Sequence, residues 1–219
     1  MGTAFQLAAT DGRLKRSERA RAAVAGAFLD LLNEGDLRPS AGRVARRAGF
    51  SPRLVFHHFS DLESLFAAAA DLQTARLSRL MRPIPAGLGS TERITRFVAQ
   101  RARLMEAISP VRRAAIIQEP FSAEIARRLD GARRLARIET GRVFGPEIGA
   151  FPARERDQLL AALDAAGSWP MWDTLRRQQK LSIGESRQVV ERTVRALLRI
   201  DRAPDRRHEI AHLNGGKRT

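Results

Sequence analysis

Two stretches of this 219-residue chain hold side chains whose types and spacing could do chemistry. The first, SAGRVARRAGFSPRLVFHHFSDLESL at residues 40–65, gathers arginines, hydroxyls and a histidine pair. Guanidinium groups bind phosphate in a fixed fork geometry, and hydroxyls and imidazoles can donate to phosphate oxygens. The second, His208-Glu209-Ile210-Ala211-His212, has the spacing that puts two imidazoles on one helix face as zinc ligands, with Glu209 as general base. A third ligand is missing, because Leu213 to Thr219 holds no His, Asp or Glu, and the motif follows Ala203-Pro204 with no core to exclude water. The tail motif is therefore set aside, with adventitious nickel or zinc binding as the nearer alternative and a metal-dependent hydrolase as the remote one. No Gly-rich phosphate loop, nucleophile elbow or convincing carboxylate pair occurs elsewhere. The expectation is a protein that is not an enzyme, with no catalytic residue, no cofactor and no metal site.

The first stretch needs helices to aim its side chains. Ser40 is placed to cap a helix with Val44 and Ala45 facing inward, and Gly49 supplies the left-handed turn residue after Ala48. Ser51 caps a second helix, Pro52 to His58, with Pro52 in the first position, where its missing N–H costs nothing. Val55 and Phe59 lie one turn apart for burial, which leaves Arg53, Leu54, Phe56, His57 and His58 for the outer face and the seam. Ahead of them, Ser17 to Asn33 reads as a helix with Val24, Phe28, Leu31 and Leu32 inside and a stop at Glu34-Gly35. Behind them, Ser60 and Glu63 are expected to form a capping box for a helix from Asp61 to Arg82, with Phe66, Ala69, Leu72, Leu77 and Leu80 inside and a break at Pro83-Ile84-Pro85. Two short helices across a tight glycine turn, supported by a longer one, are the layout of a helix-turn-helix DNA reader, so the outward residues are expected in a major groove.

Residues 17–66 resemble the N-terminal domain of TetR-family transcriptional repressors in their order of helix, AGFS turn, short helix, HHF and capped DLESL helix. The resemblance implies an all-α fold, with an N-terminal three-helix helix-turn-helix domain and a C-terminal helical bundle for ligand binding and dimerisation. It implies double-stranded DNA as partner, the Ser40 helix crossing the phosphate backbone and the Pro52 helix entering the groove. The expected contacts are Ser40, Arg43, Arg46, Ser51, Arg53, Leu54, Phe56, His57 and His58. In that family the reader helix usually carries Tyr where this chain has Phe56, often a small hydroxyl residue at Leu54 and often Lys at Leu62. Each departure removes a polar partner for DNA. Free imidazole titrates near pH ~6.5, so the histidine pair as phosphate donors implies binding that tightens on mild acidification.

Charge agrees with a polyanionic partner: 39 Lys and Arg against 24 Asp and Glu give a net +15. Residues 1–58 carry 10 basic and 5 acidic side chains, enough to favour phosphate without the rest of the chain touching DNA. The absence of cysteine excludes disulfides and thiolate metal sites. The start of the chain has no signal-peptide pattern and no apolar run reaches membrane-spanning length, so a cytoplasmic protein without a membrane partner is expected. The expected order is a flexible basic arm (1–16), the reader (17–66), a connecting helix (67–82), an effector-binding and dimerisation domain (83–201) and a disordered basic tail (202–219). Arg13, Lys15, Arg16 and Arg19 at the N-terminal end are expected to add backbone contacts or reach a minor groove, or else to belong to a solvated leader.

Residues 90–201 read as five helices: Ser90 to Ser109, Val111 to Glu119, Ser122 to Phe144, Pro152 to Gln178 and Ser182 to Ile200. In the third, Ile125, Leu129, Leu135 and Ile138 are expected inside. Its arginines form a solvated face or, alternatively, a site for an anionic effector or for acidic groups on a partner. The last pair resembles the helices through which TetR-family subunits dimerise, with Leu159, Leu163, Val190, Val194, Leu197 and Leu198 as the expected interface. Such a homodimer would hold two readers about 34 Å apart over a near-palindromic operator. Leu104, Met105, Ile108, Ile116, Phe121, Trp169, Met171 and Trp172 lie near helix breaks, as an effector pocket or as plain core. By the same resemblance the effector is small and largely apolar, and releases a repressor from DNA by a pendulum motion of the connecting helix. The alternative is a DNA-binding regulator or architectural protein that senses no small molecule.

Overall fold

The structure is a computed structural model that describes residues 2–78 and 81–200, with side chains from Leu14 onward. Helices and turns make up the described residues, with no strand among them. Helix α1 spans Gly2–Asn33, so it takes in the segment expected as an arm before Ser17. Ala4, Leu7, Ala8 and Ala9 favour helix, and nothing breaks it before Gly35, at φ 93°, turns the chain.

The chain divides into two compact units. The first holds α1, α2 (Ala41–Ala48), α3 (Pro52–His58) and α4 (Leu62–Leu77), together with residues 103–135. Those last residues are the C-terminal part of α5 (Ser90–Gln118), a 3-10 turn (Glu119–Phe121) and the start of α6 (Ala123–Val143). The expected core residues Val24, Phe28, Leu31 and Leu32 of α1 are buried with Val44 and Ala45 of α2, Val55 of α3, and Phe66 and Ala69 of α4. Phe28 meets Phe66 edge-on, with centroids 5.6 Å apart. Val111, Ala114 and Ala115 of α5 and Ile125 and Leu129 of α6 belong to the same core. Across this unit Gln73 donates to the Ala107 carbonyl at 3.2 Å, and Arg128 of α6 binds Asp71 of α4.

Helix α4 starts differently from expectation. Its cap is Asp61, whose carboxylate accepts from the Ser64 N–H at 2.7 Å while the Ser64 hydroxyl accepts from the Asp61 N–H. Ser60 donates its hydroxyl to Asp61 instead. A carboxylate is the stronger acceptor for orphan N–H groups, so it takes the cap. The helix ends at Leu77, short of Arg82, where the Thr74 and Ser78 hydroxyls bond back to carbonyls of the last turns. Leu80 lies outside the described residues.

The second unit holds residues 84–102 and those from 136 onward. It contains the N-terminal part of α5, the end of α6, α7 (Gly145–Gly149), α8 (Ala153–Ala166), α9 (Trp169–Asp173) with a π-helical extension (Thr174–Gln178), and α10 (Ile183–Leu197). Phe97 and Phe144 meet edge-on at 4.9 Å in its core, beside Ile94, Val98, Leu163 and Val194. Gly167 approaches so closely that a Cβ there would lie 3.1 Å from the Phe97 ring. Arg93 is buried, donating to the Ala86 and Leu88 carbonyls and pairing with Glu147 of α7.

Three helix expectations change. Helix α5 runs through Pro110 without a break; Ser109 donates to the Met105 carbonyl, and buried Val111 and Ala114 hold the far side in place. Leu135 and Ile138 are 69% and 67% exposed rather than interior. The inward line of α6 passes through Ile125, Leu129, Ala132, Ala136, Thr140 and Val143, one residue per turn, and the two exposed residues sit about 100° or more off it. The expected helix from Pro152 to Gln178 is divided at Gly167-Ser168, where Ser168 caps α9 and Pro170 falls in the first turn.

Candidate nucleic-acid interface

The helix-turn-helix is built from local hydrogen bonds. The Ser40 hydroxyl accepts from the Arg43 N–H at 3.4 Å to start α2. Gly49 closes it at φ 74°, its N–H bonding to the carbonyls of Ala45 and Arg46. The Ser51 hydroxyl accepts from the Leu54 N–H at 3.3 Å to start α3. Val55 and Phe59 are buried at 2% exposure each. With those two inward, Arg53, Phe56 and His57 share the outer face of α3, one turn apart or adjacent, while Leu54 and His58 are half-buried at its seam. Phe56 is 62% exposed.

Sequence reasoning missed what holds α3 from behind. Arg21 of α1 donates to the His58 carbonyl at 2.6 Å and lays its guanidinium over the Phe59 ring at 4.4 Å. One arginine thus satisfies a terminal carbonyl of the reader helix and packs on the residue that follows it. No local pattern marks Arg21, because its partner lies 37 residues away. Burial, and then the charges of His57 and Arg21, hold the His58 imidazole below its ordinary pKa. The ring of His57 stands edge-on to it at 5.3 Å.

On α2, Arg43, Arg46 and Arg47 surround a hollow over Leu31. Arg43 pairs with Asp36, and Arg47 grips Glu34 through two hydrogen bonds of 2.7 and 2.6 Å. That pairing holds the Glu34 carboxyl below the usual carboxylate range. Arg46 carries no ion pair among the described residues, which leaves its charge free for an outside anion. Ser40, Ser51 and these arginines are all exposed. The structure brings the expected DNA residues onto neighbouring surfaces of α2 and α3; Arg47, absent from the expected set, joins them but is already neutralised.

The remaining expected residues are placed less simply. Leu104, Met105, Ile108, Ile116 and Phe121 lie in the first unit, and Trp169, Met171 and Trp172 in the second. Met105 and Trp172 are buried, Leu104, Ile108, Trp169 and Met171 half-buried, but Ile116 is 36% and Phe121 79% exposed. The 3-10 turn after α5 carries the Phe121 ring outward. Leu159, Leu163, Val190, Val194 and Leu198, expected at a dimer face, are buried in the second unit's own core, and Leu197 is half-buried. The apolar stripes of α8 and α10 are needed to close the second unit's own core. Most arginines of α6 are ion-paired with Glu124, Asp130, Glu119 or Glu139, pairs worth little individually at a surface. Among the described residues no group of three His, Cys, Asp or Glu is placed to hold a metal. No helix of the described residues is long and apolar enough to cross a membrane. His208 and His212 lie outside the described residues.

No protein-family model matches the chain. No curated protein matches it either. Solved structures do. A transcriptional regulator from Rhodococcus sp. Rha1 superposes with a TM-score of 0.62 at 20% identity, covering 82% of this chain and 96% of its own. A TetR-family transcriptional regulator from Streptomyces coelicolor gives 0.63 at 16% identity, covering 90% and 96%. The likeness spans both units and nearly the whole of each neighbour, and by it this chain has the all-helical fold of TetR-family transcriptional regulators.

Proposed function

We propose that the protein is a sequence-specific DNA-binding transcriptional regulator, a cytoplasmic homodimeric repressor released from DNA by a small molecule. The carrying observation is α3 itself, which is capped, pinned from behind by Arg21, and turns Arg53, Phe56 and His57 to solvent beside the arginines of α2. A rigid helix that presents one charged and one apolar group outward, with Arg46 on the adjoining helix carrying no ion pair among the described residues, suits a major groove lined by phosphates. The charge of residues 1–58 supports the same partner.

The test is fluorescence anisotropy of the purified chain with duplexes tiled across its own gene's flanks and selected from a random library, over a salt series. Tight binding to one near-palindromic sequence against competitor DNA is the expected result, and equal binding to every duplex would overturn it. The exposure of Ile116 and Phe121 favours a second reading, a regulator that senses no small molecule. Loss of bound DNA on addition of an apolar compound would exclude that reading.

A further inference from the structure

We infer that Phe56 selects a thymine in the bound DNA, packing its ring against the 5-methyl group of the base. The inference rests on the DNA-binding reading above and adds the chemistry of one base contact to it. Phe56 belongs to a seven-residue helix and keeps 62% of its surface in solvent, while its apolar neighbours Val55 and Phe59 are buried. Leaving a phenyl ring in water is unfavourable, and the ring shares its face with a cation, Arg53, which lies one turn before it. That charge directs the face towards phosphate, so the occupant that fits is DNA rather than an apolar protein surface.

A phenyl ring has no hydrogen-bond donor or acceptor for a phosphate or a base edge. The apolar feature that base edges present in the major groove is the thymine methyl. The ring is also supported. It forms one wall of a hollow of about 320 Å³ whose other apolar walls include Pro39, Ala41 and Leu62. Leu62 is itself 43% exposed, which extends the apolar surface beside the ring.

The experiment uses the full chain and its specific duplex, with each thymine in turn replaced by uracil, which removes the methyl and nothing else. One thymine per half-site should weaken the wild type by about fourfold when replaced, the worth of one buried methyl group. The Phe56→Ala protein should bind the thymine and uracil duplexes equally at that position, which a double-mutant cycle reads as coupling. Because Phe56 is exposed, Phe56→Ala should melt at the wild-type temperature, so lost coupling would not be lost folding. Specific binding with a flat uracil scan, or with additive effects at every thymine, would overturn this inference alone. Absence of any preferred duplex would overturn the DNA-binding reading and this inference with it.

Discussion

Gly49 sits at φ 74° with nothing within 4 Å of where a Cβ would go, so the backbone alone decides what a substitution costs. Gly49→Ala should lower stability by about 1–2 kcal/mol, the penalty of a left-handed L-residue, measurable as a shifted urea midpoint at constant slope. At His58 the folded pKa is depressed by burial and neighbouring charge. Protonation therefore favours the unfolded chain. The imidazole's contribution is fully present above about pH 6.5 and is lost as pH falls through the lowered folded value. Urea midpoints should drop between neutral and mildly acid pH, and the drop should shrink in His58→Gln. The acid-tightened DNA binding expected of both imidazoles weakens as an idea for His58, which stays a neutral donor further into acid. Arg21, invisible to local reading, is the residue whose loss should disturb α3 without touching its surface.

Helix starts were the most legible elements, because a cap is a bond over three residues. Ser40 and Ser51 cap as their spacing implies, and Ser182 with Glu185 forms a capping box at the start of α10. Ser51→Ala should cost about 1 kcal/mol and loosen the reader helix, seen as faster amide exchange across residues 52–58. The capping carboxylates Asp61 and Glu185 are both held below their usual pKa, Asp61 chiefly by the Ser64 N–H and Glu185 chiefly by Ser182. Their stabilisation is present above about pH 4 and is lost as pH falls through the depressed values, so α4 and α10 should fray first in acid. The break expected at Pro110 fails because tertiary burial around a helix can outweigh one missing N–H. Pro110→Ala should then stabilise the chain, by up to about 3 kcal/mol.

At the scale of the molecule, the helix-turn-helix domain is not a separable three-helix piece. Its core is completed by Val111, Ala114, Ala115, Ile125 and Leu129, so residues 17–66 alone would leave that apolar face open and should aggregate or fold poorly. In the second unit, the Arg93–Glu147 pair ties the segment before α5 to α7 from a largely buried position. Glu147→Ala should cost about 3–5 kcal/mol by leaving that guanidinium unpaired, read as a lower melting temperature. DNA affinity should fall linearly with log salt. Arg46→Ala should reduce that slope by about 1, whereas Arg47→Ala, whose charge is held by Glu34, should change it less.

The sequence by itself determined the all-helical content, the two capped helices around Gly49, the inward faces of α1 to α3 and the basic character of the reader. Each is set by bonds or periodicity within about one or two helical turns, which a linear order of residues records. Only the tertiary structure decided that Leu135, Ile138 and Phe121 face out and that the apolar stripes of α8 and α10 close the second unit's own core. It alone joined Arg21 to His58, Arg93 to Glu147 and Arg128 to Asp71, across 37, 54 and 57 residues. Helical phase accumulates along a long helix, and pairings between helices follow from packing of whole faces, so neither can be read from a local motif.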